Sequence, residues 1–383
     1  MGVRHRLTAL SLRRVHVLVV EVPGWWSTRV EAQQQLSARG WREASSPADA
    51  DVLLVCGRPG DRLGAAVQRV WEQLPGPRAR GRAEAPNDVA RALEQAAAAL
   101  ADTDGQRRDA RDRDLGAAVP EGHEDREEDN GPHGDADGAS HDMADMDHGD
   151  MDHGDMEMAP AGIPLAGGGE DRDGLEMDVL QVPLGPVLPC WPAGLVLHCS
   201  LQGDVVVSAE VEVLTAGTTA PDADPSGRAA AARLCDHADQ LLQLSGWWSA
   251  AQRAARVRDD LLGDADTAAC QARLQRLRVV VERSRLLRWS LRDLGRAHHG
   301  AGPAASVVPG GDVHSRLLRL LRSAGDLLRD GPDQLHGSAG WTGTDPQELP
   351  RLVTGLDLAA VRLVVASLAP DTARPATAGV EGG

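Results

Sequence analysis

An acidic segment in the middle of the chain divides it into two parts that fold separately. Residues 101–159 contain almost no branched apolar side chains and are dense in Asp, Glu, Gly and His. The whole chain has a formal net charge of −17, and residues 103–160 hold 19 acidic residues against 5 arginines. Such a composition cannot bury enough apolar surface to offset chain entropy. We therefore predict a disordered acidic linker over residues 103–162.

The first part, residues 1–102, shows the pattern of a small α/β domain. Residues 15–22 and 52–56 are apolar runs of strand length, and each leads through a glycine-containing turn into a helical pattern. The predicted helices cover residues 29–39 and 88–100, and a third follows the loop at 57–60, has its apolar face within residues 67–74 and ends at Pro75-Gly76. Residues 78–86 form a further extended segment or a loop. Apolar strands that feed directly into helices are typical of a parallel sheet covered on both faces. The pattern predicts a small parallel, flavodoxin-like sheet.

The second part begins with a β element and continues as a helical bundle. Apolar and polar residues alternate over 195–201 and 205–214 around Gln202-Gly203-Asp204, which predicts a β-hairpin within residues 163–215. From residue 216 to 370 the pattern is helical, and residues 371–383 form a disordered tail. The predicted helices are 228–244, 249–262, 266–297, 312–328 and 349–368.

Composition excludes several kinds of chemistry. The chain has no Phe, no Tyr and no Lys, which removes Schiff-base catalysis, a Walker lysine and tyrosine acid–base chemistry. Outside the linker the charge is nearly balanced, which argues against nucleic acid as a partner. The five cysteines are scattered without a C-x-x-C pair, and no run has the length of a secretory signal or a transmembrane span. We expect a cytoplasmic protein, peripheral to the membrane where it associates with one.

The crevice at the carboxyl ends of the first two strands is the place where an α/β sheet would bind a ligand. The sequence lines it with Gly24, Trp25, Trp26, Cys56, Gly57 and Gly60. The loop Gly57-Arg58-Pro59-Gly60 lacks the G-x-G-x-x-G spacing of a dinucleotide site. Cys56 has no histidine near it in the sequence, so we interpret it as a small buried residue.

Residues 17–32 (VLVVEVPGWWSTRVEA) and 46–81 (SPADADVLLVCGRPGDRLGAAVQRVWEQLPGPRARG) resemble the small subunit of nickel–iron hydrogenases and the related iron–sulfur subunit of respiratory complex I. In that family the turn after the first strand has cysteines that bind an iron–sulfur cluster. Here Trp25, Trp26, Ser27 and Thr28 stand at those positions. The resemblance therefore implies the family scaffold with a degenerate cluster site.

Residues 184–214 (LGPVLPCWPAGLVLHCSLQGDVVVSAEVEVL) resemble the start of the partner large subunit, the catalytic subunit of hydrogenase and its complex I relative. Gly185-Pro186 and the following hairpin match, whereas Leu188 and Pro192-Ala193 replace the histidines that face quinone in complex I. The paired C-x-x-C motifs that bind nickel are also absent. Residues 235–248 and 355–368 fit the helices of that subunit loosely.

The two resemblances together imply a fusion of both subunits from which the metal and cluster ligands have been lost. They imply a non-catalytic subunit, a structural or assembly module of a membrane-associated respiratory-type complex with membrane subunits as partners. No cofactor is predicted for the folded parts. We also predict that Trp25 and Trp26 pack against the second domain.

A repeat in the linker supports an alternative function. MDHGD occurs at residues 146–150 and again at 151–155, and thioether, imidazole and carboxylate groups together suit copper or nickel. The alternative to metal binding is an acidic low-complexity tether without a specific ligand. The candidate ligands are His141, Met143, Met146, His148, Met151, His153 and Met156.

The remaining candidates have structural interpretations. Cys235 and His237 lie on different faces of one helix, which disfavours a metal site, and His298-His299 lies at a helix end, where a cation offsets the helix dipole. Trp247-Trp248 is predicted to anchor a contact between helices. An arginine series forms a solvated face or, alternatively, a dock for an acidic partner or anionic lipid. It comprises Arg273, Arg276, Arg283, Arg285, Arg288 and Arg292.

Overall fold

The computed structural model describes residues 14–117, 167–170, 176–218, 227–296, 310–330 and 344–373. Its first part is the predicted α/β layer. The elements are β1 (His16–Glu21), α1 (Trp26–Arg39), β2 (Arg42–Glu43), β3 (Val52–Cys56), α2 (Asp61–Gln73), β4 (Ala79–Ala83), α3 (Val89–Ala101) and α4 (Thr103–Ala117).

The four strands form a parallel sheet in the order β2-β1-β3-β4. This is the start of the flavodoxin-like strand order, so the predicted fold class is confirmed. All five residues of β3 are buried, because α1 and α3 cover one face of the sheet and α2 covers the other. The segment 78–86, predicted as extended or loop, supplies the edge strand β4. Strand β2 was not predicted, since only two residues pair there.

Helix α4 contradicts the predicted start of the disordered linker at residue 103. Residues 103–117 hold four aspartates and four arginines, and Arg78 explains why this charged stretch is ordered as a helix. Arg78 is buried, and its guanidinium donates to both carboxylate oxygens of Asp109 at 3.0 and 3.1 Å. The side chain of Gln106 also bonds to the backbone N–H and C=O of Arg78. These contacts hold the first turns of α4 against the α/β layer. Residues 118–162 of the predicted linker lie outside the described residues.

The second part combines an antiparallel sheet with helices. Strands β5 (Gly167–Glu170), β6 (Glu176–Leu184), β7 (Leu195–Gln202) and β8 (Val205–Val213) pair in chain order, and β7–β8 is the predicted hairpin. The helices are α5 (Arg228–Leu244), α6 (Trp248–Leu262), α7 (Thr267–Arg283), α8 (Arg285–Leu291), α9 (Val313–Asp330), α10 (Leu349–Val353) and α11 (Leu358–Leu368).

Two predicted long helices are each divided. The helix predicted over 266–297 breaks at Ser284, whose extended backbone ends α7 and whose hydroxyl caps α8 by accepting from the N–H of Leu287. The helix predicted over 349–368 breaks at Gly355, which has a φ of +84°. There the backbone pairs with β8: Gly355 N–H donates to Val206 at 2.7 Å, and Val206 N–H donates to Leu356 at 2.9 Å. The backbone groups of residues 355 and 356 therefore bond to the sheet, and the helix does not continue through them.

The helices and one face of the antiparallel sheet share the largest apolar core. Trp247 packs against this core, but Trp248 is 63% exposed. The prediction that both tryptophans anchor a helix contact is therefore wrong for Trp248, which lies exposed at the first residue of α6. His298-His299 lies outside the described residues.

Candidate functional site

The turn that follows β1 carries the two tryptophans and lies at the carboxyl edge of the parallel sheet. Gly24 adopts a φ of +85°, which only glycine enters without strain. The backbone N–H of Trp25 donates to Val22 at 3.0 Å and closes the turn. Helix α1 then starts at Trp26. The two indoles leave this turn in different directions and have different partners.

Trp25 covers the end of β3. A Cβ atom added to Gly57 would lie 2.7 Å from the indole ring of Trp25, and Gly57 has a φ of +113°. The indole N–H donates to the carbonyl of Glu84 at 3.0 Å, and the residue is only 2% exposed. It shares a buried cluster with Val196 and Leu214 of the second part. The ring thus fills the crevice in which an α/β sheet would hold a ligand.

The loop at residues 57–60 is closed by the backbone of the second part. Gly60 N–H donates to Thr215 at 3.2 Å, and Gly217 N–H donates to Arg58 at 2.9 Å. Nearby, a Cβ atom on Gly194 would lie 2.6 Å from the ring of Pro23. These close approaches cover the carboxyl edge of the parallel sheet with the antiparallel sheet. The N–H of Gly60 and the carbonyl of Arg58 are thereby taken up in hydrogen bonds between the two parts.

The side chain of Trp26 is buried among residues of the second part. Its side chain belongs to the main core of the second part, its N–H donates to Asp236 Oδ2 at 3.0 Å, and Arg233 stacks 4.8 Å from its ring centroid. The prediction that the tryptophans pack against the second domain is thus confirmed for Trp26. Trp25 also shares a buried cluster with Val196 and Leu214 of the second part, although most of that cluster lies in the first domain.

A buried charge cluster adjoins Trp26, and we call it the junction cluster: Glu21, Arg29, Asp236, Asp239 and Arg258. Arg29 of α1 donates to both oxygens of Asp236 at 2.5 and 3.2 Å, and its Nε donates to Glu21 at 2.6 Å. Arg258 of α6 donates to Asp236 Oδ1 at 2.6 Å. A bidentate arginine–carboxylate pair fixes orientation as well as charge. The cluster therefore sets the relative position of the two parts.

Neighbouring glutamines extend this network. Gln33 accepts from Arg29 at 2.9 Å and from Arg258 at 2.6 Å. Gln240 donates to Asp236 at 3.1 Å. Asp236, which is fully buried, thus accepts from a tryptophan, two arginines and a glutamine. Buried carboxylates are tolerated only with such complete hydrogen bonding.

The two buried aspartates of α5 have pKa values that are shifted in opposite directions. Burial alone would raise the pKa of Asp236, but Arg29 and Arg258 outweigh it and hold that pKa well below the usual range. Burial raises the pKa of Asp239 to about 7, and the charge of Asp236 adds to this effect. Burial also lowers the pKa of His237 to about 4. At neutral pH the cluster holds an ionised Asp236 between two cations beside a neutral histidine.

The remaining residues of the degenerate turn do not fit an iron–sulfur cluster. Ser27 and Thr28 follow in the first turn of α1, and the buried Thr28 hydroxyl has no hydrogen-bond partner among the described residues. Cys56 ends β3 fully buried, and burial raises the pKa of its thiol strongly. A cluster requires thiolates, whereas this turn offers indoles, hydroxyls and one protonated thiol. The ring of Trp25 also occupies the space above Gly57.

The other predicted site residues are dispersed or lie elsewhere. The seven candidate ligands of the linker repeat, from His141 to Met156, lie outside the described residues. Over the described ranges, no three His, Cys, Asp or Glu side chains come together as metal ligands. Among the helices of the same ranges, none has the length and apolarity to cross a membrane.

The sequence interpretation missed the junction cluster entirely. Arg29 and Asp236 are 207 positions apart, and no motif links them. A signal existed in the helical periodicity, because Arg29 follows Trp26 by one turn and shares its face. Asp236 and Asp239 likewise fall among the buried positions of α5. Charged residues on a predicted buried face indicate a buried pair.

Comparisons with known proteins identify no family for this chain. No family model matches the sequence, and no curated protein matches it. One solved structure with similarity is a chain of the membrane-bound sulfane sulfur reductase, an archaeal respiratory membrane complex. It is 14% identical, with a TM-score of 0.33, over 51% of this chain and 99% of its own. A likeness of this size carries no argument about function.

Proposed function

We propose that this protein is a non-catalytic subunit of a membrane-associated respiratory-type complex, in which it serves as a structural or assembly module. It would correspond to a fusion of the hydrogenase or complex I small and large subunits that its sequence resembles. Its partners would be the membrane subunits of such an assembly, and it would lie on the cytoplasmic face of the membrane without a cofactor of its own.

The observation that carries this proposal is the filled turn after β1. Both indole N–H groups are paired, Trp25 with the backbone carbonyl of Glu84 and Trp26 with the buried carboxylate of Asp236. The ring of Trp25 takes the space above Gly57. A site that binds a cofactor keeps an open volume and converging ligands. Here the same edge joins two folded parts, which suits a scaffold.

The junction cluster supports the same role. It links α1 of the first part to α5 and α6 of the second with bonds of 2.5 to 3.2 Å. A subunit that presents two surfaces to its partners needs a fixed angle between them. Bidentate pairing at the junction provides that rigidity.

Isolation of the intact assembly tests the proposal. Affinity-tagged protein is extracted from its native membranes with mild detergent and separated by native electrophoresis. We expect it to migrate with integral membrane subunits, far above its own 40.5 kDa. Migration as a free chain or a homo-oligomer, without membrane subunits, contradicts the proposal.

The linker repeat favours a second candidate function, transition-metal binding. Two consecutive MDHGD copies place methionine, histidine and aspartate at identical spacing, a donor set that suits copper or nickel. Calorimetry with each ion compares the full chain with a variant that lacks residues 141–158. Equal affinity of the two proteins contradicts this candidate.

A further inference from the structure

Helix α8 is a seven-residue helix with two apolar faces, only one of which is buried. Leu287 and Leu291 are 4% and 1% exposed and pack into the helical core, whereas Leu286 and Trp289 are 74% and 71% exposed. Leu286 and Trp289 are three positions apart and so lie on the same face of the helix. Large apolar side chains this exposed on a folded element mark an interaction surface when polar groups surround them.

Arginines surround this pair. Residues 283–292 contain four arginines and no acidic residue, in a chain whose net charge is −17. Arg285, Arg288 and Arg292 of this segment are all exposed. Arg288 donates to the carbonyl of Glu282 at 2.8 Å, and Arg292 lies 3.3 Å from the neighbouring Asp293. We call Leu286, Trp289, Arg285, Arg288 and Arg292 the α8 patch.

The α8 patch is held in place from both ends. The Ser284 hydroxyl caps α8 by accepting from Leu287 N–H at 3.3 Å. Beyond the helix, Leu294 accepts from Val313 N–H at 3.1 Å, and Gly295 accepts from the buried Arg316 at 2.6 Å. The exposure of Leu286 and Trp289 is therefore imposed by a docked helix and is not a property of a loose loop.

We propose that the α8 patch binds the surface of a bilayer that contains anionic lipid. Tryptophan rings favour the headgroup level of membranes, where the ring is buried and the N–H stays hydrated. Arginine side chains place their apolar stems along the same surface and their guanidinium groups at lipid phosphates. Each basic residue near an anionic leaflet adds to the attraction. An acidic protein would match the arginines but would need a complementary pocket for the two apolar side chains, whereas a bilayer buries them without one.

This inference goes beyond the proposed function and stands without it, because it concerns lipid and not a protein complex. The chain supplies a matched control in Trp248, which is 63% exposed at the start of α6. The positions three and four residues after Trp248 are Ala251, which is buried, and Gln252, which is exposed, and the exposed Arg253 follows. Replacing Trp248 therefore removes an exposed indole whose helical neighbours at these two positions carry no positive charge.

Sedimentation of the full chain with vesicles tests the inference. One set of vesicles is phosphatidylcholine alone, and the other contains phosphatidylglycerol as well. We expect binding to the anionic vesicles that weakens as salt is added. The double variant Leu286→Ser with Trp289→Ser should lower the partition coefficient about tenfold, and Arg285→Gln with Arg288→Gln about 30-fold. Trp248→Ser should stay within about twofold of the wild type.

All of these side chains are exposed, so the circular dichroism spectra of the variants should match that of the wild type. Absence of binding to anionic vesicles at low salt overturns the inference, and so does an equal loss in the Trp248→Ser variant. If the apolar variant binds as well as the wild type and polyglutamate displaces the vesicles, the patch recognises charge alone. That result would assign it to an acidic protein and would also overturn the inference.

Discussion

Replacing Asp236 by Asn should destabilise the protein more than any other isosteric change at the junction. Asp236 is fully buried and accepts from Trp26, from Arg29 twice, from Arg258 and from Gln240. An amide keeps one acceptor oxygen and turns an NH₂ group toward the arginines. The two buried cations then lose the carboxylate that they share and keep Glu21 beside Arg29 and Asp259 beside Arg258. Removal of one partner from a buried ion pair costs about 3–5 kcal/mol. We expect a loss of this size in the free energy of unfolding at pH 7.

Urea unfolding, followed by circular dichroism and by tryptophan fluorescence, measures this loss. The matched control is Glu212→Gln, because Glu212 pairs with Arg62 across the same two parts but on the surface. Exposed pairs contribute about 0–1 kcal/mol, so the control should cost less than about 1 kcal/mol. A cost below about 1 kcal/mol for Asp236→Asn, equal to that of the control, would refute the reasoning.

The triple replacement Arg29→Met, Asp236→Leu and Arg258→Met separates charge from packing. These three residues form the arginine–aspartate–arginine centre of the junction cluster, and apolar replacement of such a buried ion triad is often neutral or stabilising. The triple variant should therefore recover most of the stability that Asp236→Asn loses. If it is less stable than the single variant, packing and not uncompensated charge explains the loss.

Three further predictions concern the same region. Trp26→Ala should lower the free energy of unfolding in urea by about 3–5 kcal/mol. The control Trp248→Ala should change it by less than about 0.5 kcal/mol. Similar losses in the two variants would contradict the assignment of Trp26 to the core. Gly57→Ala should lower the free energy of unfolding by about 2 kcal/mol or more, because the added Cβ meets the ring of Trp25. The control Gly40→Ala has a φ of +71° but open space around its Cβ, and it should lower the same free energy by about 1 kcal/mol. The pKa of Asp239 is raised to about 7, so the folded state holds a proton that the unfolded state has lost, and the contribution of Asp239 to stability should fall as pH rises from about 4 to 7. His237, whose pKa is lowered to about 4, contributes the opposite slope, so the difference between the wild type and the Asp239→Asn variant isolates Asp239. Asp239→Asn should remove the slope due to Asp239, and an unchanged pH profile of the unfolding free energy would show that Asp239 is ionised in the folded protein.

The sequence was sufficient to predict most of the elements, because their signals are local. The apolar run of residues 52–56 and the amphipathic pattern after it gave β3 and α2, and the turn at residues 202–204 gave the β7–β8 hairpin. Each of these predictions depends on neighbours within about one turn of the chain. The packing of Trp26 against the second part was predicted instead from the resemblance, in which Trp26 stands at a cluster position.

The predictions failed where distant contacts override local preference. Helix α4 has a highly charged composition with few apolar residues, and its ion pair joins Asp109 to Arg78, 31 positions earlier in the chain. The break at Gly355 depends on pairing with β8, about 150 positions earlier in the chain. The junction cluster is the strongest case, because charges that look solvated in the sequence are buried by a partner that no spacing rule identifies.

The central claim is that the turn after β1 has become a packing surface and no longer binds a cluster. Anaerobic reconstitution of the purified chain with ferrous iron and sulfide, followed by absorbance and electron paramagnetic resonance, tests it directly. A Cys56→Ser variant treated in parallel reports any binding by the one thiol near the turn. We predict no stoichiometric cluster signal in either protein. One cluster per chain in the wild type, lost in the Cys56→Ser variant, would contradict the account.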